Sequence, residues 1–370
     1  MSGGITQLVA IGAQDVWLTG QPEVSFFRNN YKRHTNFSHV VQRQVLQGAT
    51  NPSAMSSIKL ERKGDMVSYI YLTKRYGATQ QTFAAWNAAT NPPNGAGPEI
   101  DHIDLLIGGQ VIDTQDDTFI NLVANPYLLD NQNKATSVAG DGDNLGYFYP
   151  LQFWFCQNWQ SALPLIALQF HDVEIRIYWS SSVLSVNSPN VPIFEAWANF
   201  ITLDVGEREM LAKTTQNHLI YQVQKSLPSK TNIQNLVFNH PIKFITTGYT
   251  GNCLINNSTQ DLSNTMLFQV NGVDIGEQKA FTPHFDLVPN YYHCSTITYD
   301  TINSETKSNN SFLLPFCLDT TKLQPTGTLN FSRIDSARLV TSSTFQQILY
   351  AVNYNILKIE NGMGGMMYSN

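Results

Sequence analysis

A chain of 370 residues, 42% hydrophobic and 11% aromatic, can bury a sizeable core, and its length suits two domains. Only 14% of the residues are charged and the net charge is −6, which argues against a protein that coats nucleic acid. The four cysteines form no C-x-x-C pair, so we expect buried free thiols and a reducing compartment. The beginning of the chain does not resemble a secretion signal, and no apolar run approaches the roughly 20 residues that span a bilayer.

The N-terminal segment carries a basic cluster in an otherwise acidic chain. An aromatic pair and a basic pair, each four residues apart, predict a short helix with an apolar and a basic side. This surface is a candidate contact for another molecule, and an ordinary solvated helix face is the alternative. The residues concerned are Phe27, Arg28, Tyr31, Lys32 and Arg33.

Short β-type runs separated by turns follow. Residues 40–48 alternate in polarity, and residues 100–113 predict two strands around a Gly108–Gly109 turn. A short helix that ends before Pro126 is expected within residues 116–133. Strands therefore dominate the first hundred residues after the N-terminal segment.

The densest aromatic stretch is 150–179. Its run Phe153–Phe155 is of β type, and residues 172–179 alternate so that Val173, Ile175 and Ile177 share one face. The second run is typical of a half-buried strand.

Residues 206–216 form the best helical pattern after residue 133, and strand-like residues resume at 218–224. We therefore expect a joint between two domains here. The predicted divisions are a base segment 1–35, a first domain 36–205, a linker 206–216, a second domain 217–362 and a tail 363–370.

Three landmarks of the first half recur in the same order in the second half. The offsets are 163 residues (Gly109 to Gly272), 161 residues (Cys156 to Cys317) and 154 residues (Asn199 to Asn353). Such an ordered recurrence indicates a tandem duplication. The framework positions that it pairs are Phe155 with Phe316, Cys156 with Cys317, and Phe170 with Phe331.

Each repeat holds roughly 160 residues of short strands, which fits an eight-stranded β-sandwich of the jelly-roll kind. The predicted fold is therefore all-β, with two tandem jelly rolls and short helices in the N-terminal segment and loops. The paired cysteines are interpreted as small buried hydrophobic residues.

Catalytic and metal motifs are weak in this chain. Asp101, His102 and Asp104 could suggest a metal or acid–base site, but strand alternation places at most two of them on one face. Asp204 and Glu207 near the joint have no matching acidic set elsewhere. No phosphate-binding loop or nucleophile elbow is present, so we expect no catalytic residue, cofactor or metal.

The chain resembles the double jelly-roll major capsid proteins of nucleocytoplasmic large DNA viruses, the group that includes irido-, phycodna- and mimivirus-like viruses. Matching stretches run from residue 7 to residue 365. They are QLVAIGAQDVWLTGQPEVSFFRNNYKRHTNF, LLIGGQVID, FWFCQN followed by ALPLIALQFHDVEI, QPTGTLNFSRID and AVNYNILKIENGMGG. The chain is shorter than most members, and its joint reads DVGEREMLA where an acidic and arginine-rich turn is usual.

The resemblance implies a structural function in the virion. Three chains would form a homotrimeric capsomer of pseudo-hexagonal outline, and capsomers would tile an icosahedral shell assembled in the host cytoplasm or viral factory. The N-terminal segment and C-terminal tail would lie at the inward base, where Arg28, Tyr31, Lys32 and Arg33 would meet minor capsid proteins or an internal membrane. Direct genome binding and a small-molecule substrate are not expected.

Three alternatives remain open at this point. The first is a minor capsid or spike-base protein of the same fold. The second is a double jelly-roll amidase acting on glycoprotein glycans, and the third is a carbohydrate-binding module that uses Trp86 and Trp159.

Overall fold

The computed structural model describes residues 4–6, 12–76, 82–83, 86, 98–130, 146–183, 192–247, 264–294, 299–302, 305–308 and 312–368. The chain divides into two compact units, Met1–Asn36 and Phe37–Asn370. Within the first unit, a 3-10 turn at Ala13–Asp15 leads into a single helical turn at Val16–Thr19.

The helix predicted around Phe27 and Tyr31 is not formed. Residues 26–28 make a turn and residues 29–36 have no regular secondary structure. Asparagine at 29 and 30 is a poor helix former, and so short a helix is marginal without a packed face.

The second unit contains two β-sandwiches in sequence. The strands of the first are β1 Phe37–Gln44, β2 Leu46–Gly48, β3 Met55–Lys59, β4 Met66–Tyr76, β5 Thr82–Phe83, β6 Ile100–Ile107, β7 Gln110–Asp116, β8 Phe148–Pro150, β9 Leu163–Pro164, β10 Val173–Trp179 and β11 Pro192–Leu203. One sheet has the order β1-β11-β4-β5, with β8 and β9 also pairing with β4, and the facing sheet has the order β2-β3-β10-β6-β7. All of these pairings are antiparallel.

The second sandwich repeats this arrangement. Its strands are β12 Gln216–Ser226, β13 Ile233–Asn235, β14 Pro241–Thr247, β15 Thr265–Val270, β16 Val273–Ala280, β17 Tyr299–Ile302, β18 Glu305–Ser308, β19 Leu313–Pro315, β20 Leu329–Asn330, β21 Ala337–Thr341, β22 Leu349–Glu360 and β23 Met363–Met366. One sheet has the order β12-β22-β14-β19, with β20 on β14 and β23 on β22, and the other has the order β13-β21-β15-β16. Strands β17 and β18 form a separate hairpin.

The two strand orders coincide element by element: β1, β11 and β4 correspond to β12, β22 and β14, and β3, β10, β6 and β7 correspond to β13, β21, β15 and β16. Two four-position sheets of this kind, closed by Greek-key connections, are a jelly roll. An irregularity in the strand pairing also recurs. The pairing of β11 with β4 shifts register beside the buried Asn199, and the pairing of β22 with β14 shifts register beside the buried Asn353. The fold is the predicted double jelly roll.

Short helices connect the strands. They lie at Phe119–Ala124 (a π-helix) continuing into Asn125–Tyr127, at Trp154–Gln157, Val205–Lys213, Phe281–His284 and Leu287–His293, with 3-10 turns at Trp159–Ser161 and Phe331–Arg333. The joint helix Val205–Lys213 is the one predicted from the sequence. Asp204 accepts a hydrogen bond from the backbone N–H of Val205 at its start, and Arg208 reaches Asp65 at 3.0 Å.

Two further predictions about local structure are wrong. The run Phe153–Phe155 is not a strand: Trp154–Gln157 is a helical turn, and all three aromatic side chains are buried, which strand alternation would not allow. The helix of residues 116–133 does not end before Pro126, because the π-helix Phe119–Ala124 continues into Asn125–Tyr127 and includes that proline in its last turn. Proline is accommodated here beside a π-helical segment, where the regular ladder of i to i−4 hydrogen bonds is already interrupted.

The core is divided unequally between the jelly rolls. The first cluster contains residues of both sheets of the first roll, such as Ile70 of β4 and Ile175 of β10, and continues into Phe244 and Val352 of the second roll. The second cluster, which includes Phe268, contains residues of the second roll only. The two rolls therefore share one hydrophobic core at their contact.

Candidate assembly surfaces

The contact between the rolls is made by the outer strand β7 and the first strand of the second roll, β12. The backbone N–H of Val223 donates to Asp113 Oδ1 at 3.0 Å, and the Tyr221 hydroxyl donates to the carbonyl of Gln152 at 2.8 Å. Lys225 Nζ lies 2.7 Å from Asp116 Oδ2. Strand edges of both rolls are thus satisfied by each other within one chain.

Carboxylates are concentrated at this contact. Asp113 is 3% exposed, and burial raises its pKa to about 7 despite hydrogen bonds from Val223 and Gln115. Burial likewise raises the pKa of Asp117 to about 7, although the Tyr149 hydroxyl donates to its Oδ1 at 2.8 Å. Removal from water disfavours the charged form more than these donors favour it.

Aromatic pairs cover the rest of the contact. The rings of Tyr127 and Phe244 are 5.8 Å apart, as are those of Phe119 and Tyr350. The Tyr350 hydroxyl also donates to Asp116 at 2.8 Å. Apolar burial and charge-assisted hydrogen bonds therefore act together here.

The C-terminal strand β23 reaches the first roll. The backbone N–H of Phe170 donates to the carbonyl of Gly362 at 2.9 Å, and the backbone N–H of Gly364 lies 3.2 Å from His171 Nδ1. A Cβ on Gly364 would lie 2.6 Å from the end of the Leu168 side chain, so a larger residue here would require that side chain to move. The glycine-rich end is therefore part of the contact between the rolls.

The strands that correspond to β7 and β12 in the other roll have no such cover. Every residue of β16 except Ala280 is exposed, including the large side chains of Val273 and Ile275. On β1 the first four residues are exposed, among them Phe37 and Val40. Nearly all of β16 and the first half of β1 are thus exposed, whereas their counterparts β7 and β12 take part in the internal contact.

The N-terminal segment presents the predicted basic residues to solvent. Arg28, Tyr31, Lys32 and Arg33 are all exposed. Large apolar side chains accompany them, with Trp17 92% and Phe27 fully exposed. A segment with this much exposed apolar surface is suited to contact with another molecule.

Five of the six framework positions are buried or half-buried. Phe155, Cys317 and Phe331 are buried, and Cys156 and Phe316 are half-buried against the cores. Burial raises the pKa of the Cys156 thiol to about 12, and it also raises the pKa of Cys317. Neither thiol is activated as a nucleophile.

The predicted pairing of Phe170 with Phe331 is not matched by their surroundings. Phe331 is buried, and its N–H donates to the carbonyl of His240, just before β14. Phe170 is 75% exposed beside Gly362, and its N–H donates to the Gly362 carbonyl.

The candidate catalytic groups do not converge. His102 is bonded to Asp101 at 2.7 Å and stacks on Tyr178, and Asp204 caps the joint helix. Within the described ranges, no group of three or more His, Cys, Asp or Glu side chains is arranged to hold a metal ion.

Of the two tryptophans proposed to contact sugars, Trp86 is buried against Tyr149 and Phe194, whereas Trp159 is exposed. None of the helices in the described part of the chain has the length and apolar character of a membrane span.

Comparison with known proteins gives one consistent result. The family of the major capsid protein N-terminus matches residues 25–204, and the family of the large eukaryotic DNA virus major capsid protein matches residues 207–365. The major capsid protein of Pyramimonas orientalis virus is 33% identical over 413 aligned residues, and that of Paramecium bursaria Chlorella virus 1 is 30% identical over 459, each alignment covering 100% of both chains.

The fold agrees with this relationship. The chain in a quasi-atomic structure of the PBCV-1 virus capsid superposes with a TM-score of 0.72 at 24% identity, covering 94% of this chain and 100% of that one. The chain belongs to the major capsid proteins of large eukaryotic DNA viruses, a family of structural proteins.

Proposed function

We propose that three copies of this chain close into a pseudo-hexameric capsomer and that these capsomers tile an icosahedral shell. One observation carries the proposal: β7 and β12 contact each other within the chain, while nearly all of the equivalent strand β16 and the first half of the equivalent strand β1 are exposed. If β16 of one copy packs on β1 of the next, each chain repeats its internal contact externally. A head-to-tail contact of this kind makes a closed ring when the rotation is suitable.

The register of the strands supports this pairing. Val41 of β1 lies opposite Asn199, just as Gln222 of β12 lies opposite the equivalent Asn353. The exposed Val40 is therefore the counterpart of Tyr221, which is part of the internal contact. Six jelly rolls contributed by three chains would then occupy six similar positions around the ring.

The apolar side chains on the two bare strands fit the same arrangement. Val273 and Ile275 on β16 and Phe37 and Val40 on β1 would be buried together. Burial of about four such side chains favours association by several kcal/mol, from which the cost of lost translational and rotational freedom must be subtracted. Residues 36–205 and 217–362, joined by the linker 206–216, would be the two jelly rolls with which each chain fills two of the six positions.

We further propose that the segment 1–35 and the tail 363–370 lie on the inward side of the shell. The exposed aromatic and basic residues, including Tyr31 and Arg28, would contact minor capsid proteins or the membrane inside the shell. Deletion of residues 1–25 is expected to leave the trimer intact and to impair shell assembly. Normal shells from the shortened chain would refute this role.

Light scattering on the purified chain tests the trimer. We expect a particle three times the 41.5 kDa chain mass. The variant Ile275→Asp should reduce the mass to that of one chain, because it places a charge in the proposed contact. The control Val237→Asp changes an 86% exposed valine outside β16 and β1 and should remain trimeric.

A stable monomer of the unmodified chain would contradict the capsomer. A trimer present in only a few copies per virion would instead support a minor capsid or spike-base protein of the same fold. Quantifying the chain in purified particles separates these two cases.

A further inference from the structure

A cleft of about 360 Å³ lies between the two jelly rolls, and Tyr221 of β12 belongs both to its lining and to the contact described above. Leu128 and Trp154 of the first roll and Ile220 and Val352 of the second form apolar walls. Its volume is in the range of pockets that hold small organic molecules. The assembly proposed above does not use this cleft.

A buried lysine on β14 lines the cleft. Lys243 is 5% exposed, and its ammonium donates to the carbonyl of Lys322 at 3.2 Å and lies 5.9 Å from the centre of the Tyr354 ring. Among the described residues, no carboxylate lies within ion-pair distance of it. Buried charges are normally paired, so this one lacks its usual partner.

The surroundings of Lys243 disfavour its charge. Burial lowers the pKa of the ammonium, and Cys317 and Asp319 offset this only in part. The Asp319 carboxylate is already engaged, because Oδ1 accepts from the backbone N–H and the hydroxyl of Thr321, both at 2.8 Å. An anion in the cleft would restore the stability of the charged lysine.

Two more polar groups of the cleft are unsatisfied. Gln157 Nε2 and the Tyr354 hydroxyl are buried atoms without a hydrogen-bond partner in the described part of the chain. Both can donate, as does Lys243. Three donors from two rolls therefore border the same apolar space, and such groups seldom stay unpaired when buried.

We propose that this cleft binds a small organic anion, a carboxylate with an apolar body, whose oxygens accept hydrogen bonds from Lys243, Gln157 and Tyr354. The apolar body lies against Trp154, Ile220 and their neighbours. A bare phosphate is a poorer fit because its hydration is lost against apolar walls without enough donors to replace it. Since Gln157 belongs to the first roll and Lys243 to the second, the ligand would bridge both.

Octanoate is a suitable probe, with octanol and octylamine as molecules of the same chain length and different head group. Calorimetric titration of the full chain should show octanoate binding at least ten-fold tighter than octanol, and octylamine should not bind. Octanoate should also raise the melting temperature, because it binds the folded chain. Inorganic phosphate is expected to bind more weakly than octanoate.

The substitution Lys243→Met keeps the length of the side chain and removes its charge, so octanoate affinity should fall at least ten-fold while octanol affinity stays the same. Tyr354→Phe should weaken octanoate a few-fold and provides a second test if Lys243→Met does not fold. The control Lys213→Met alters an exposed lysine of the joint helix and should have no effect. Equal binding of octanoate and octanol, unchanged octanoate affinity in both cleft variants, or tighter binding of phosphate would each overturn the proposal.

Discussion

The two jelly rolls have the same strand order, but their outer strands have different surroundings. In the first roll β7 is covered by β12, and its Ile112 is 2% exposed. In the second roll β16 is exposed along nearly its whole length, and Ile275, the third residue of its strand as Ile112 is of β7, is 54% exposed. The difference is explained by chain connectivity, because only one of the two rolls finds a neighbour within its own chain.

The turns of the β6–β7 and β15–β16 hairpins also differ in their surroundings. Gly108 has a positive φ of 59° and lies against the His171 ring, where a Cβ would be only 2.4 Å from Nδ1. Its counterpart in the β15–β16 turn is Asn271, with a φ of 49°, and its side-chain oxygen accepts from the backbone N–H groups of Asp335 and Ser336. One tip is thus packed against a neighbouring strand connection and the other is closed by its own side chain.

Charge placed on the two outer strands gives the largest expected contrast. Ile112→Asp would bury an unpaired carboxylate in the shared core and is expected to cost more than about 4 kcal/mol of unfolding free energy. Ile275→Asp is expected to change the stability of the isolated chain by less than about 0.5 kcal/mol, because the side chain is already in water. Urea denaturation of both variants at a concentration where the chain is monomeric measures this contrast.

Similar losses in both variants would show that β16 is covered in the isolated chain, contrary to the exposure described here. Val111→Asp on β7 is a matched control, since Val111 is 44% exposed although it adjoins Ile112. It should behave like Ile275→Asp.

Much of the fold follows from local patterns in the sequence. The alternation of Val173, Ile175 and Ile177 is reproduced by their burial, and the two glycines at 108–109 mark the turn between β6 and β7. In each case a local sequence pattern indicates one face of a strand or one type of turn. The tandem repeat was also visible, because both copies must build the same kind of core.

The errors arose where neighbours distant in sequence decide the outcome. Three consecutive aromatics at 153–155 suit a strand by propensity, yet they are turned inward by a helical turn against β4 and β12. The importance of Asp113 and Lys225 was missed, because nothing in a single strand indicates which other strand will lie beside it. The cleft around Lys243 was missed for the same reason, since its walls come from both rolls.

The hairpin tips give a second, smaller contrast. Gly272→Ala is expected to cost about 1 to 2 kcal/mol, because alanine disfavours the positive φ of 79° but meets no atom within 4 Å. Gly108→Ala has the same backbone penalty and also displaces the His171 ring, so about 3 to 5 kcal/mol is expected. The difference between the two midpoints in urea is the measurement. A larger loss for Gly272→Ala would mean that the His171 contact is not maintained in solution.

The smallest contrast concerns pH, because among the described carboxyl groups the pKa is raised to about 7 only in the first roll, at Asp113 and Asp117. The ordinary pKa of an aspartate is 3.8, so between pH 3.8 and about pH 7 the folded chain binds more protons than the unfolded chain. Stability attributable to these groups is therefore greatest in acid and falls as pH rises towards 7, by up to about 1.4 kcal/mol per pH unit for each group. Asp113→Asn should remove its share of this slope, since the amide oxygen still accepts from Val223.

The unfolding free energy measured at intervals from pH 5 to pH 8 tests this expectation. Asp113→Asn should gain stability relative to the unmodified chain as pH rises, by about 1 to 2 kcal/mol across the range after allowance for solvent relaxation. Asp274→Asn on the exposed strand β16 is the matched control and should follow the unmodified chain. If both variants follow it, Asp113 is ionised at little cost, and water must then reach the contact between β7 and β12. Such access would leave the internal contact no drier than the bare strands β16 and β1, and the contrast between the two rolls would be one of geometry rather than of burial.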